Sequence, residues 1–585
     1  MFVAGIIKYL ERTRALFRAS LDSFRESMVK VPDSGPDYAK LMEEYSSKIE
    51  AGLPTTIELT PEPGKESKLA ATVNREKLSD FEVVQYAYRY FEKFKGLIVE
   101  LIFSFRERNE SRDFFPLELN FIYEILYTKV VVVHNIVGYI FRFLSTASVV
   151  VAFGLFHFLD KRGLKEIDIV VTYALLGGAI CLDAIALFML IFSDWTFGAI
   201  DINNRMGKCV EWIGTKYLRS KTSSWSDDDE EHLSTPKLLR RPWSESVSTF
   251  NLIDYCLKQR TYEFKYNPFM FCLDKLVDYL GGRDSLWVLI FDELLEKSRE
   301  ADDAETIKRI CSARGAYVCK EGEWGNDQGR IRDISENYIE NVTFDESLML
   351  WHVATELCFS KDDPGKDDND RRFHKLLCFG RKNNKGKKNY LILTDDDYCR
   401  FSKVLSDYML YLLVMQANMM SAVAGIGQIR FRDTCEETKN FFIRRGVKSS
   451  NQKFTCAETI ENFFRRDVKE NKQKEACDII IGVNTQVKPV HVKGDRSKSV
   501  LFDACMLAKE LNQLEKNQKL KLISKVWVEM LSYAASHCRP ATHAQQVSKG
   551  GQLISFVWLL MAHFGLGEQF QINEGHASAK VVVGK

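Results

Sequence analysis

Few residues in this chain are spaced for chemistry. His352 and Glu356 in WHVATELCF (Trp351–Phe359) stand four positions apart, so on a helix they share a face and could supply two metal ligands. A zincin-type site needs a second histidine that this segment lacks, so a His–Glu pair in the core or on the surface is the preferred reading. His537, Cys538 and His543 in SHCRPATHAQQ suggest a metal set or a nucleophile. Pro540 makes a turn of that segment, and its histidines are expected to cap or pack at a helix–helix connection. VKGDRSKSV (Val492–Val500) sets Lys493, Gly494, Ser497, Lys498 and Ser499 just before a helix, LFDACMLAKEL. Amides at a helix start, together with cations, can hold a phosphate, although an ordinary capped start is the simpler reading. GRKNNKGKK (Gly380–Lys388) has five residues between its glycines where a phosphate loop has four. It also has Lys388 where Ser or Thr should meet magnesium, and it reads as a solvated basic loop. Neither G-x-S-x-G nor G-x-G-x-x-G occurs. No metal or cofactor is therefore expected.

Asp183 has the best physical argument for a role. It is the single charge in IVVTYALLGGAICLDAIALFMLIF (Ile169–Phe192), a run of 24 residues. A carboxylate near mid-span costs on the order of 2.5–3.5 kcal/mol to insert, so it should face a partner, a cavity or an ion path. The structural alternative is a neutral carboxyl, or one bonded to a hydroxyl such as Thr172 or to another helix. Upstream lies FLSTASVVVAFGLFHFL (Phe143–Leu159), whose 17 residues make about 26 Å of helix, close to the hydrocarbon thickness of a bilayer. Arg142 and the Lys161/Arg162 pair bracket it, where long cations can snorkel. Two adjacent runs joined by a short charged loop (Asp160–Glu166) predict a transmembrane hairpin rather than two buried soluble helices. Trp195 just beyond is expected at the interface.

The elements that must carry these residues follow from spacing. Residues 1–128 form a helical and loop region, with 31–80 a loop around a short helix and a charged break at Arg106–Asp113. The hairpin occupies 129–195 with spans at 143–159 and 169–192, and 196–247 is a linker containing SKTSSWSDDDEEHLSTP. An α-rich region follows at 248–499 and a C-terminal helical domain at 500–575. Within the former, Phe401, Val404, Leu405, Tyr408, Met409 and Leu412 recur at helix-face spacing, and Thr394 before three aspartates reads as an N-cap. The uncharged window Tyr408–Gly427 is thus a core helix, not a third span. The clearest strand-like runs are CDIIIGVN (Cys477–Asn484) and VVVG near the C-terminus, so the fold class is mainly α with few short strands. TCEETKNFFIRR (Thr434–Arg445) and TCAETIENFFRR (Thr455–Arg466) are a local tandem duplication, too few copies for a solenoid.

Composition narrows the classes. With 81 Lys+Arg against 80 Asp+Glu, no global basic charge supports nucleic-acid wrapping, and basic–aromatic interleaving for RNA is absent, so no nucleic-acid partner is expected. The 14 cysteines are too dilute for a disulfide scaffold. Thirteen of the 14 follow residue 200, which fits a reducing compartment and a cytosolic C-terminal region, where the Asn341-Val-Thr343 sequon would be idle. Loop cations (Lys161, Arg162, Lys165) and flanking ones (Lys129, Arg142, Arg205, Lys208) are too evenly matched to orient the hairpin. The first residues, MFVAGII, are too short an apolar run for a secretory signal.

FVAGIIKYLERTRALFRAS (Phe2–Ser20), GPDYAKLMEEY (Gly35–Tyr45), LDAIALFMLIFSDWT (Leu182–Thr196) and NLIDYCLKQR (Asn251–Arg260) together resemble the plant membrane family of domain of unknown function 4220. FDACMLAKELNQLE and the segment Trp527–Gly565 resemble its usual companion, domain of unknown function 594. The resemblance covers nearly the whole chain. It implies a plant integral membrane protein with no established activity or catalytic residues. It also implies several spans ahead of the segment resembling FVAGIIKY, so that Asp183 would lack helices it normally packs against. The expectation is a membrane-anchored interaction protein contacting the bilayer and other proteins. The alternatives are a tethered enzyme or ligand-binding domain using Lys493–Ser499 and the His537–His543 turn, or a transport-type protein using Asp183.

Overall fold

The computed structural model describes residues 2–28, 38–61, 80–99, 115–160, 165–200, 212, 214–218, 247–258, 283–301, 304–362, 394–447, 466–494, 498–548, 553–567 and 576–583. The helices that position the candidate residues are α1 (Phe2–Ala19), α2 (Asp80–Phe94), α3 (Phe115–Tyr127), α4 (Ile136–Phe158), α5 (Glu166–Ile191), α6 (Asp194–Ala199), α7 (Leu252–Lys258) and α8 (Arg283–Glu300). They continue with α9 (Phe344–Asp362), α10 (Asp395–Met415), α11 (Gly427–Arg444), α12 (Arg466–Ile481), α13 (Val500–Leu511), α14 (Lys516–His537), α15 (Pro540–Val547) and α16 (Leu553–His563). Further helices, among them Tyr38–Glu50 and Ala304–Ser312, and shorter helical turns complete the helical elements among the described residues. The fold is mainly α, as its spacing predicts.

The helical body is organised around α9. Every residue from Phe344 to Ser360 is buried, and α10, α12 and α13 pack around this helix. Polar residues on a helix enclosed on all sides need partners, and other helices supply them for Asp345, His352, Thr355 and Glu356. The packing of α10 against α9 and α14 uses the predicted positions Phe401, Val404, Leu405, Tyr408, Met409 and Leu412, all buried. Burial of each leucine-sized side chain contributes roughly 1.5–3 kcal/mol. The Thr394 cap is present as a reciprocal box: its hydroxyl accepts from Asp397 N–H, and the Asp397 carboxylate accepts from Thr394 N–H at 3.0 Å.

α2, α3 and α6 form a second cluster, in which Phe81, Phe91, Phe115 and Phe121 are fully buried. It is continuous with the body, because α3 contacts α15 and α16, and a single hydrophobic core runs from Phe24 to Leu566. Trp195 belongs to this core. It is 9% exposed and edge-on to Tyr88 at 5.3 Å, so it is not the interfacial aromatic that its position after the apolar run suggests.

Two other expectations change. CDIIIGVN is not a strand: α12 continues to Ile481, with Cys477, Ile480 and Ile481 buried at helical spacing. A short apolar run fits either period, and packing against α9 decides it. Conversely, Thr55–Pro61, read as loop, is a strand that pairs antiparallel with His576–Val583, Thr55 opposite Val583. The VVVG end is therefore a strand, as expected, but its partner lies more than 500 residues upstream.

Candidate functional site: the apolar hairpin and the buried polar joints

α4 and α5 pack against each other as an antiparallel hairpin and leave the body. α4 begins at Ile136 rather than Phe143, because Arg142 does not interrupt the helix. Both helices are long and apolar enough to cross a bilayer, yet only 17% and 11% of their most apolar stretches are buried. Phe143, Leu155, Ile167, Leu175 and Leu182 are each at least 66% exposed. A soluble core helix would hide these side chains. Near the tip, His157 Nδ1 meets Tyr173 Oη at 3.1 Å and so bridges the two helices.

Asp183 is partnered. Lys8 Nζ on α1 donates to Asp183 Oδ1 at 2.7 Å, and the Asp183 side chain keeps 10% of its surface. Eight residues follow Asp183 to the end of α5, about 12 Å of rise, so it lies nearer the body end of that helix than its tip. α1 lies along α4 and supplies the cation, so the carboxylate is bonded to another helix, one of the alternatives the sequence leaves open.

The His352/Glu356 pair is buried in a polar network. His352 Nε2 accepts from Leu252 N–H at 3.2 Å, which leaves the proton on Nδ1 to meet Ser406 Oγ at 2.9 Å. Burial lowers the imidazole to about 4, so it is neutral. Asn251 Nδ2 bridges Glu356 Oε2 and Asp407 Oδ1, both at 3.0 Å, while Gln473 donates to Glu356 Oε1 at 2.7 Å and Lys403 approaches it at 3.3 Å. Burial, then the Glu356 charge, pushes the Asp407 carboxyl well above the usual carboxylate range. Both ring nitrogens of His352 and the oxygens of Glu356 are thus committed within the fold. Among the described residues no group of three or more His, Cys, Asp or Glu side chains is arranged to hold a metal.

The other singled-out residues are also partnered within the fold, although Lys493 and Lys498 themselves are exposed. Lys498 pairs with Glu346 at 3.1 Å, and Lys493 pairs with Glu437. Ser499 donates to Glu437 at 2.7 Å and caps α13 by accepting from Phe502 N–H. Asp503 beside them is raised to about 6 by burial and by Glu346, so the cluster is rich in carboxylate. Ser497 and the Gly380–Lys388 loop lie outside the described residues. His543 Nε2 donates to Ala535 O at 3.1 Å and stacks on Trp558, and burial lowers it to about 4. His537 bonds to Tyr533 O at 2.8 Å. Both histidines pack or cap at the helix–helix turn, as the sequence suggests.

Residues that sequence reasoning missed make the strongest joints. His563 Nε2 on α16 meets Glu118 Oε2 on α3 at 2.8 Å, with both residues at most 1% exposed. The imidazole lies over Phe94 and edge-on to Phe115. Glu529 on α14 accepts from Tyr317 and Val318 N–H at the start of a short helix (Ala316–Glu321) and pairs with Lys297 at 3.3 Å. Trp527, fully buried, donates to Thr355 Oγ1 at 3.0 Å. The buried acids in FPLELN and WVEMLSY were the available signal, because a carboxylate at a core position of a helix needs a donor.

Residues 1–256 match the model of the domain of unknown function DUF4220, and residues 512–566 match that of the protein of unknown function DUF594. No curated protein and no solved structure matches the chain.

Proposed function

We propose that this chain, which carries a DUF4220 domain and a DUF594 domain, is an integral membrane protein whose α4–α5 hairpin anchors an α-helical body that acts as a scaffold for other proteins. The observation that carries this reading is the exposed apolar surface of the hairpin, which in water would be a large unpartnered patch and in a bilayer is solvated by acyl chains. Both helices stay hydrogen-bonded throughout, as a spanning segment requires. The body faces the cytosol: every cysteine among the described residues is a free thiol, which suits a reducing compartment. A scaffold role is favoured over catalysis because each cluster of titratable residues described above is consumed by internal bonds. A tagged full-length chain expressed in plant cells should stay in the membrane pellet after an alkaline carbonate wash. Release into the supernatant would overturn the anchor reading.

A further inference from the structure

The hairpin has a companion. α1 packs along α4 with Ala4, Ile7 and Glu11 turned inward, and Lys8 reaches the Asp183 carboxylate on α5. On its outer side, Phe2, Ile6, Tyr9, Leu10, Leu16 and Phe17 are all exposed, Phe2 at 83% and Phe17 at 69%. At 100° per residue these six fall within about 120° of the helix circumference, a face about 22 Å long. A stripe of that length with two phenylalanines facing water is as unfavourable as the hairpin surface beside it. Lys8, Arg12, Arg14 and Arg18 stand off the stripe, against one acid, Glu11. A helix whose exposed Phe, Leu and Tyr are flanked by long cations has the composition of one seated in a membrane.

We infer that α1 is a third element of the membrane anchor, with its Phe2–Phe17 stripe on acyl chains and the Lys8–Asp183 ion pair fixing it to the hairpin. This rests on reading α4 and α5 as spans. Two features select lipid over a protein partner as the occupant. The stripe adjoins the exposed apolar surface of α4, and α1 is joined to Asp183, which lies inside the apolar length of α5. The pair also answers how both charges are tolerated there, since each neutralises the other. The remaining cations of α1 can reach headgroups by snorkelling.

The test uses the full chain in phosphatidylcholine vesicles, with a benzophenone side chain introduced at Ile6, Leu10 or Phe17. Leu155 and Leu175 serve as hairpin positions. Irradiation followed by intact-mass analysis reads lipid attachment. Adducts at the α1 positions comparable in yield with those at Leu155 and Leu175 are expected. Adducts at the hairpin positions alone would overturn the inference and leave the hairpin anchor standing. No adducts at any position would overturn both. Crosslinks from α1 to a second copy or another protein in place of lipid would also overturn it. Lys8→Met, which strands Asp183, should lower the Leu10 adduct severalfold, and adding Asp183→Leu should restore it. An unchanged Leu10 adduct in Lys8→Met would remove the ion pair from the proposal's support.

Discussion

Replacing His563 by Phe keeps the aromatic packing against Phe94 and Phe115 but removes the nitrogen that meets Glu118. Glu118 would then be a carboxylate at 1% exposure, with Oε2 deprived of its partner and Oε1 already without one among the described residues. Breaking a buried pair by deleting one partner costs about 3–5 kcal/mol, because the charge left behind is uncompensated. Replacing both partners by apolar groups of similar volume is close to neutral. Hence His563→Phe should destabilise strongly, while His563→Phe combined with Glu118→Leu should return to within about 1.5 kcal/mol of the parent. Unfolding entropy grows with chain length, so for a body of this size 1 kcal/mol moves the midpoint by roughly 1 °C, and the single variant should melt about 3–5 °C lower. Intrinsic-fluorescence melts of the purified full chain in detergent would measure this. A single variant that melts with the parent would refute the reasoning. So would a double variant that loses the sum of the two single effects, since the penalty would then not be a stranded carboxylate.

Asn251→Ala removes the amide that bridges Glu356 and Asp407 and should destabilise by about 3 kcal/mol in the same melts, with Asp407→Asn partly compensating. The pH dependence has two opposed parts. His352 and His543, both lowered to about 4, are neutral in the fold and protonated when unfolded, so their share of stability is lost as pH falls from about 6.5 toward 4. His543→Gln should flatten that limb in melts from pH 4 to 6.5. Asp407 and Asp503 are raised, so their share is present at low pH and lost as pH rises from the usual carboxylate range, through about 6 for Asp503. Asp407→Asn should flatten that limb. Gly138→Ala would drive a Cβ into the Val132 carbonyl oxygen and should lower folded yield, whereas Gly177→Ala, with nothing within 4 Å, should be tolerated; size-exclusion profiles of the two variants compare them directly.

Local pattern made some elements legible and not others. α10 could be read because its cap and its apolar face lie within one segment, and the hairpin because length and the absence of charge are properties of a run. α12 could not, since three consecutive isoleucines fit a strand as well as an enclosed helix until α9 is known to pack beside it. Lys8 is 175 residues from Asp183, and His563 is 445 from Glu118, so no window could pair them. Each half of those pairs was nonetheless conspicuous as a charge or imidazole at an apolar position, which predicts that a partner exists without naming it. His352 and Glu356 show the same rule from the other side. Their spacing suits metal ligation, but α9 is buried all round, and burial turned both into network members.

Several residues that carry the family resemblance sit at joints. NLIDYC brings Asn251 to the carboxylates of α9 and α10. MAHFG brings His563 to α3, and WVEMLSY brings Trp527 to α9 and Glu529 to the helix at Ala316–Glu321. These contacts tie the 512–566 match to the 1–256 match through one continuous core, so the two matched regions fold as parts of a single body rather than as beads on a linker. Such a body holds the base of the hairpin rigidly: Val132 and Val133 before α4 and Trp195 and Phe197 after α5 are all buried in it or against it. A force on the hairpin or on α1 therefore reaches α3 and α16 through packed side chains, not through flexible chain. On the scaffold reading proposed above, partner recognition would lie on the outer faces of the body, because His352, Glu356, Trp527 and Glu529 inside it are already bonded within the fold.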